Sequence, residues 1–135
     1  MPPFRHTLRV RYQECDPQGV VYFARYPEYA DIALTEMFRE ALGSYDAMVQ
    51  GGSDLVVAEM TVRYHASARF DDLVDVDLAV SRLGETSLGC AVRMLRGDEL
   101  LAEADFRHVF IDVDSKDKRA MPADVRSALE RYAPA

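Results

Sequence analysis

The chain has 135 residues, 49% hydrophobic and 29% charged, enough for one core without disulfides or a structural metal. A formal net charge of −7 argues against nucleic acid or an anionic membrane surface as partner. Cys15 and Cys90 have no disulfide or metal spacing, no run is apolar enough to span a bilayer, and residues 1–6 hold no signal-peptide core. The expectation is a single domain over residues 1–135, soluble and cytoplasmic, with no membrane, metal or cofactor.

Residues 4–12 alternate, with Phe4, His6, Leu8, Val10 and Tyr12 on one face, which predicts a half-buried strand. Asp16-Pro17-Gln18-Gly19 breaks it. A helix is predicted over 22–42 from the spacing of Tyr26, Tyr29, Ala30, Ala33, Met37 and Ala41. Pro27 fits only the first turn, so regular helix begins near Arg25 or Tyr26, and Gly43 suits a left-handed cap. Ile32, Leu34, Phe38 and Leu42 widen the apolar stripe, as in a helix covered on more than one side. Residues 44–54 read as a loop with some helical potential.

Alternation from Ala58 to Phe70 predicts a long second strand, and Val74 to Val80 a third. Ser87 to Arg96 and Leu100 to Val113 give two more around the turn Arg96-Gly97-Asp98-Glu99. Pro122 opens a short helix over 123–132. One strand, a long apolar helix, four strands in meander and a short helix make an α+β layout: a five-stranded antiparallel sheet wrapped around a central helix. Long strands with few helices to cover them predict self-association.

The junction between the first strand and the helix is where chemistry is expected. The first N–H groups of a helix lack intrahelical partners and carry the positive end of its dipole, so they can hold an oxygen that becomes negative. Asp16 lies a few residues upstream, and Gly19 lets the backbone come close to a ligand.

The run Tyr12-x-x-x-Asp16-x-x-Gly19-x-x-x-x-x-x-Tyr26, followed by an apolar helix, resembles the hotdog-fold acyl-CoA thioesterases of the 4-hydroxybenzoyl-CoA thioesterase family, including its Tol–Pal-associated group. The likeness is sharpest over residues 8–42 and covers nearly the whole chain in element order. It implies Asp16 as catalytic carboxylate, attacking directly or activating water, and the backbone N–H of Phe23 as the group that polarises the thioester carbonyl. It implies substrate contacts at Val21, Tyr22, Tyr26 and Ser67, with Ser67 reaching the site from a partner subunit. It implies a homodimer or homotetramer with active sites between subunits, and an aromatic or short-to-medium acyl-CoA substrate. The turn that carries phosphate-holding basic residues in close members reads Gly84-Glu85-Thr86-Ser87 here. Arg82, Arg93, Arg96 and Arg107 are then the candidates for the CoA phosphates, and an acyl-carrier-protein thioester stays open.

Simpler readings stand beside these. Asp16 before Pro17 also suits an ordinary turn. Cys15 suits a small buried residue better than a nucleophile, and His6, His65 and His108 suit structural strand positions. Tyr22, Phe23, Tyr26 and Tyr29 fit a core as well as an acyl pocket. Asp31, amid apolar helix positions, is expected to be buried with structural hydrogen bonds. The rival functions are a non-catalytic acyl-thioester or acyl-carrier-protein binding module and a hotdog hydratase or dehydratase. The latter needs a His with an acidic partner near the helix, and no His lies in 9–64. A serine hydrolase lacks its Gly-x-Ser-x-Gly elbow.

Overall fold

Strand β1 (Phe4–Arg9) runs into helix α1 (Tyr26–Leu42), and a short helix α2 (Tyr45–Gln50) leads to β2 (Ser53–Tyr64). Strands β3 (Leu73–Leu83), β4 (Ser87–Arg96) and β5 (Glu99–Asp112) follow, then α3 (Ala123–Leu129). This computed structural model describes residues 3–134; residues 1, 2 and 135, the ends of the expected domain, lie outside them.

The five strands pair antiparallel in the order β1-β3-β4-β5-β2. Only β3 to β5 form the expected meander. The second strand crosses the sheet to pair with β5, so β2 and the six-residue β1 are the two edges. Alternation along one strand reports which face is buried and nothing about which neighbour it meets.

One sheet face presents Val74, Val76, Leu78 and Val80 from β3, Leu88, Cys90, Val92 and Met94 from β4, and Ala102, Ala104, Phe106, His108 and Phe110 from β5, all buried. Against it α1 buries Tyr26, Tyr29, Ala30, Ala33, Leu34, Met37 and Phe38. Ala30 and Ala33 let the helix axis approach the sheet closely. Pro27 stands in the first turn, and Gly43, at φ 86°, ends the helix with its N–H on the Arg39 carbonyl, 2.9 Å away. Ile32 is left exposed, so the apolar stripe is wider than this chain's own core covers.

Element bounds differ from expectation where local bonding intervenes. β1 stops at Arg9, and residues 12–14 coil into a 3₁₀ turn that puts Tyr12 on the surface. Ser44 caps α2 by accepting the Ala47 N–H at 3.0 Å, turning the expected loop into helix. β2 begins earlier, at Ser53, and a register shift between Val57 and Glu59 hides its first half from a period-two pattern. It ends at Tyr64 rather than Phe70, because the N–H groups of His65 and Ala66 both turn onto the Leu101 carbonyl. The C-terminal helix gives way at Glu130 to a 3₁₀ turn that buries Tyr132 against Phe4.

Candidate active site

The segment between β1 and α1 is anchored from beneath. Val10, buried, exchanges backbone bonds with Asp71 and Asp72. Glu14, 3% exposed, accepts the Arg11 N–H at 2.8 Å and the Tyr29 hydroxyl at 2.9 Å, and the Arg11 guanidinium lies 3.1 Å from its other oxygen. Burial pushes the Glu14 carboxyl up, but these donors together outweigh it and hold the group below the usual carboxylate range. Burial first, and then the facing carboxylate, raise the Tyr29 hydroxyl.

Above this anchor residues 15–21 form a tight hairpin. The Asp16 N–H bonds to the Val20 carbonyl and the Gly19 N–H to the Asp16 carbonyl, each at 2.9 Å. Oδ1 of Asp16 accepts the Gln18 N–H at 2.8 Å, so this residue does build a turn. Its Oδ2 has no bond among the described residues. Gly19 has φ 81°, and a Cβ there would meet open space, so glycine is required by the left-handed backbone rather than by a close approach.

A second segment closes against the first. The Val21 N–H bonds to the Ala68 carbonyl at 2.9 Å, and the Ala68 N–H returns to the Tyr26 hydroxyl at 3.1 Å. Between the two segments lies a cavity of about 330 Å³ whose walls include Asp16, Val21, Phe23, Tyr26, Tyr64 and Ser67. Thus Asp16, Val21, Phe23, Tyr26 and Ser67 come together as one constellation, Ser67 from the same chain as Asp16. Gly19 and Tyr22 are not on its wall; Tyr22 packs its ring on Phe23 with centroids 4.8 Å apart.

Phe23 stands at the first position of a 3₁₀ turn, 23–25, that leads into α1. The Tyr22 N–H is taken by the Glu14 carbonyl and the Arg25 N–H by the Tyr22 carbonyl. Between them the N–H groups of Phe23 and Ala24 have no backbone carbonyl partner among the described residues. The Tyr64 hydroxyl donates to the Phe23 carbonyl at 2.9 Å, and its ring meets Phe23 and Tyr26 edge-on. Tyr29 serves the Glu14 anchor instead of the cavity.

His65 also contributes to the cavity wall, and its Nε2 lies 2.9 Å from Oε1 of Glu103. The sequence argument that no His lies in 9–64 therefore does not remove a His with an acidic partner from the helix start. His108 is buried on β5, with Nδ1 unpartnered among the described residues. Burial lowers its pKa, partly offset by the charge of Asp31. Asp31 is exposed rather than buried, and shares with His108 a separate cavity of about 300 Å³. Cys15 and Cys90 are free thiols, and burial pushes Cys90 up to about 12.

Of the arginines weighed for phosphates, Arg96 is already occupied by Asp72 at 2.7 Å, by Glu99 and by the Ser67 carbonyl. Arg93 sits between Asp77 and Glu103 in the strand register. Glu14, Tyr64 and the His65–Glu103 pair were not singled out from sequence. The one local signal was the spacing of Arg11 and Glu14, three apart, which suits an ion pair across a single turn.

The chain as a whole is similar to known proteins. The chain is 35% identical to the acyl-CoA thioester hydrolase YbgC of Escherichia coli, over 90% of this chain and 92% of that one. It is 28% identical to the acyl-CoA thioesterase YbgC of Haemophilus influenzae, over 93% of each. A hypothetical protein of Thermus thermophilus superposes with a TM-score of 0.89 at 28% identity, covering 96% of this chain and 98% of that one. The thioesterase-like superfamily profile matches residues 10–129, and the chain belongs to that superfamily.

Proposed function

We propose that this protein hydrolyses acyl-CoA thioesters to the free acid and CoA. The observation that carries the reading is that Asp16 and the unpartnered head of α1 border one cavity. The YbgC relatives, named as acyl-CoA hydrolases, support the same chemistry.

The thioester carbonyl oxygen sits toward the Phe23 N–H, which stabilises it as it becomes negative. Removing one such donor typically costs on the order of 3 kcal/mol of transition-state stabilisation. Oδ2 of Asp16, free of the turn bond, attacks the carbonyl carbon or takes a proton from an attacking water. The thiolate then departs without a strong acid, and on the direct-attack route water hydrolyses the resulting acyl–Asp16 anhydride, releasing the free acid and restoring the carboxylate. Val21, Phe23, Tyr26 and Tyr64 offer an aromatic and aliphatic surface, and about 330 Å³ suits an aromatic or short-to-medium acyl group. Ser67 supplies a polar contact at the rim.

The chain works as a homodimer or homotetramer. The edge strand β2 has 12 residues and exposes Val56, Val57 and Tyr64, with Ile32 of α1 also exposed. Such an edge calls for a second copy. Two free thiols suit a reducing cytoplasm.

The test is free-thiol release from a panel of acyl-CoAs, aromatic through long-chain, by wild type and Asp16→Asn. Turnover of one class, lost in the variant, supports the reading. A folded wild type that releases no thiol from any ester sinks it. That result leaves an acyl-thioester or acyl-carrier-protein binding module, or a hydratase built on His65 and Glu103, which would consume the substrate without releasing thiol.

A further inference from the structure

Phe23 supplies the amide on which the proposed chemistry depends, and its surroundings are a poor place to keep an amide still. The residue is 61% exposed and opens a 3₁₀ turn of only three residues, 23–25. Short 3₁₀ turns have poor hydrogen-bond geometry, and helix ends fray. The residue before it is well fixed: the Glu14 carbonyl takes the Tyr22 N–H, and the Tyr22 carbonyl takes the Arg25 N–H. From its own turn Phe23 has less: its carbonyl accepts the Tyr26 N–H, and its ring lies beside that of Tyr22.

One residue holds Phe23 from outside. The Tyr64 hydroxyl donates to the Phe23 carbonyl at 2.9 Å, and the two rings meet edge-on with centroids 6.4 Å apart. Among the described residues these are the only hydrogen bond and the only ring contact that Phe23 makes beyond residues 22–26.

Tyr64 is itself braced. Its ring packs edge-on against buried Tyr26 at 5.3 Å, and the Tyr26 hydroxyl is fixed by the Ala68 N–H. Just beyond it, the His65 and Ala66 N–H groups tie the end of β2 to the Leu101 carbonyl at 2.8 and 3.0 Å. The hydroxyl therefore reaches the exposed turn from a rigid part of the sheet.

Peptide planes are stiff, so a residue is free to swing only through φ and ψ. With its carbonyl held by two donors, one of them on another element, Phe23 has little room to rotate, and its N–H keeps its direction. Such a donor stabilises a developing oxyanion best when nothing must reorganise as the charge forms.

We propose that Tyr64 is a positioning residue for thioester hydrolysis: its hydroxyl holds Phe23 so that the backbone N–H stays aimed at the carbonyl oxygen. This rests on the acyl-CoA reading and deepens it. The hydroxyl carries the role, so Tyr64→Phe removes it while keeping the ring contacts with Phe23 and Tyr26.

The experiment compares wild type with Tyr64→Phe in two readouts. The first is kcat and KM on an acyl-CoA that wild type turns over. The expected result is a kcat about tenfold lower with KM within about twofold, the pattern of an interaction lost in the transition state alone. The second is the infrared carbonyl band of an isotope-labelled acyl-CoA bound to Asp16→Asn, and to Asp16→Asn carrying Tyr64→Phe as well. Binding to the first is expected to shift the band to lower frequency, and the added substitution to return it toward the free position. A tyrosine with a merely structural role would reduce the folded fraction without moving the band. An unchanged kcat, an effect confined to KM, or a band that stays in place overturns the proposal and leaves thioester hydrolysis standing. Failure of wild type to release thiol from any ester removes the underlying reading, and the proposal with it.

Discussion

Two strand-to-helix junctions in this molecule use nearly the same local vocabulary, and only one borders the Asp16 cavity. At the first, Asp16 turns the chain through its Oδ1 and Pro27 stands in the opening turn of α1. At the second, Oδ1 of Asp112 accepts the N–H groups of Asp114 and Ser115, and Pro122 precedes α3. The difference lies in what meets each turn from across the fold. Arg119 bonds the Gly52 carbonyl at 2.6 Å, and Arg126 bonds the carbonyls of Leu83 and Gly84, so side chains fill the second junction. The first is met by residues 64–68, which touch it through Val21 and Tyr26 and leave a cavity between. A turn aspartate becomes a candidate catalyst when the opposing wall stands back from it.

The largest predicted contrast is catalytic. Asp16→Asn keeps an acceptor for the Gln18 N–H, so the turn survives, and kcat is expected to fall about 10³-fold. Asp112→Asn should leave kcat within about twofold of wild type, since its carboxylate serves the backbone N–H groups of its own turn and Arg119, 3.6 Å away, and borders no part of the Asp16 cavity. Steady-state assays of both variants check this, and equal losses would erase the distinction between the junctions.

The anchor comes next. Glu14→Gln weakens the bonds from the Arg11 N–H and the Tyr29 hydroxyl and is expected to cost about 2 kcal/mol in urea unfolding. The first junction depends on a buried carboxylate and the second does not, so no comparable loss is expected for Asp112→Asn.

The two glycines should then separate by size. Gly52→Ala, at φ 100° with Arg119 Nη1 only 2.8 Å from the new Cβ, meets strain and a displaced arginine. It should cost about 2 kcal/mol, against about 1 kcal/mol for Gly19→Ala, which meets strain alone. Denaturation midpoints of the two variants measure the gap.

The smallest effect is that of pH. Burial lowers the folded-state pKa of His108, so between that value and the ordinary 6.5 the unfolded chain binds more protons. Stability should therefore climb as pH rises through the range just below 6.5 and level off above it. Urea midpoints at about pH 5 and about pH 7.5 should differ less in His108→Asn than in wild type.

The helix of the first junction was readable because Pro27, Gly43 and the Tyr29–Ala33–Met37 spacing are local facts. Asp16 was readable as a turn residue on the same grounds, and as a candidate catalyst from its place just upstream of a helix start and from family likeness. Glu14, Tyr64 and the pairing of His65 were not, because each acts through a partner 15 or more positions away in the chain: Tyr29, Phe23 and Glu103. The crossing of β2 to the far edge was hidden for the same reason. Periodicity reports a face, and pairing is decided by the closure of the whole sheet.

Tyr64 joins two parts of the protein. It is the last residue of the edge strand β2, and its hydroxyl and ring hold the first turn of α1 in place. If a second copy pairs along that edge, the same residue feels the pairing and supports the Phe23 amide. Subunit contact and catalytic competence would then rise and fall together. Specific activity, ordinarily independent of enzyme concentration, should drop on dilution below the dimer's dissociation constant.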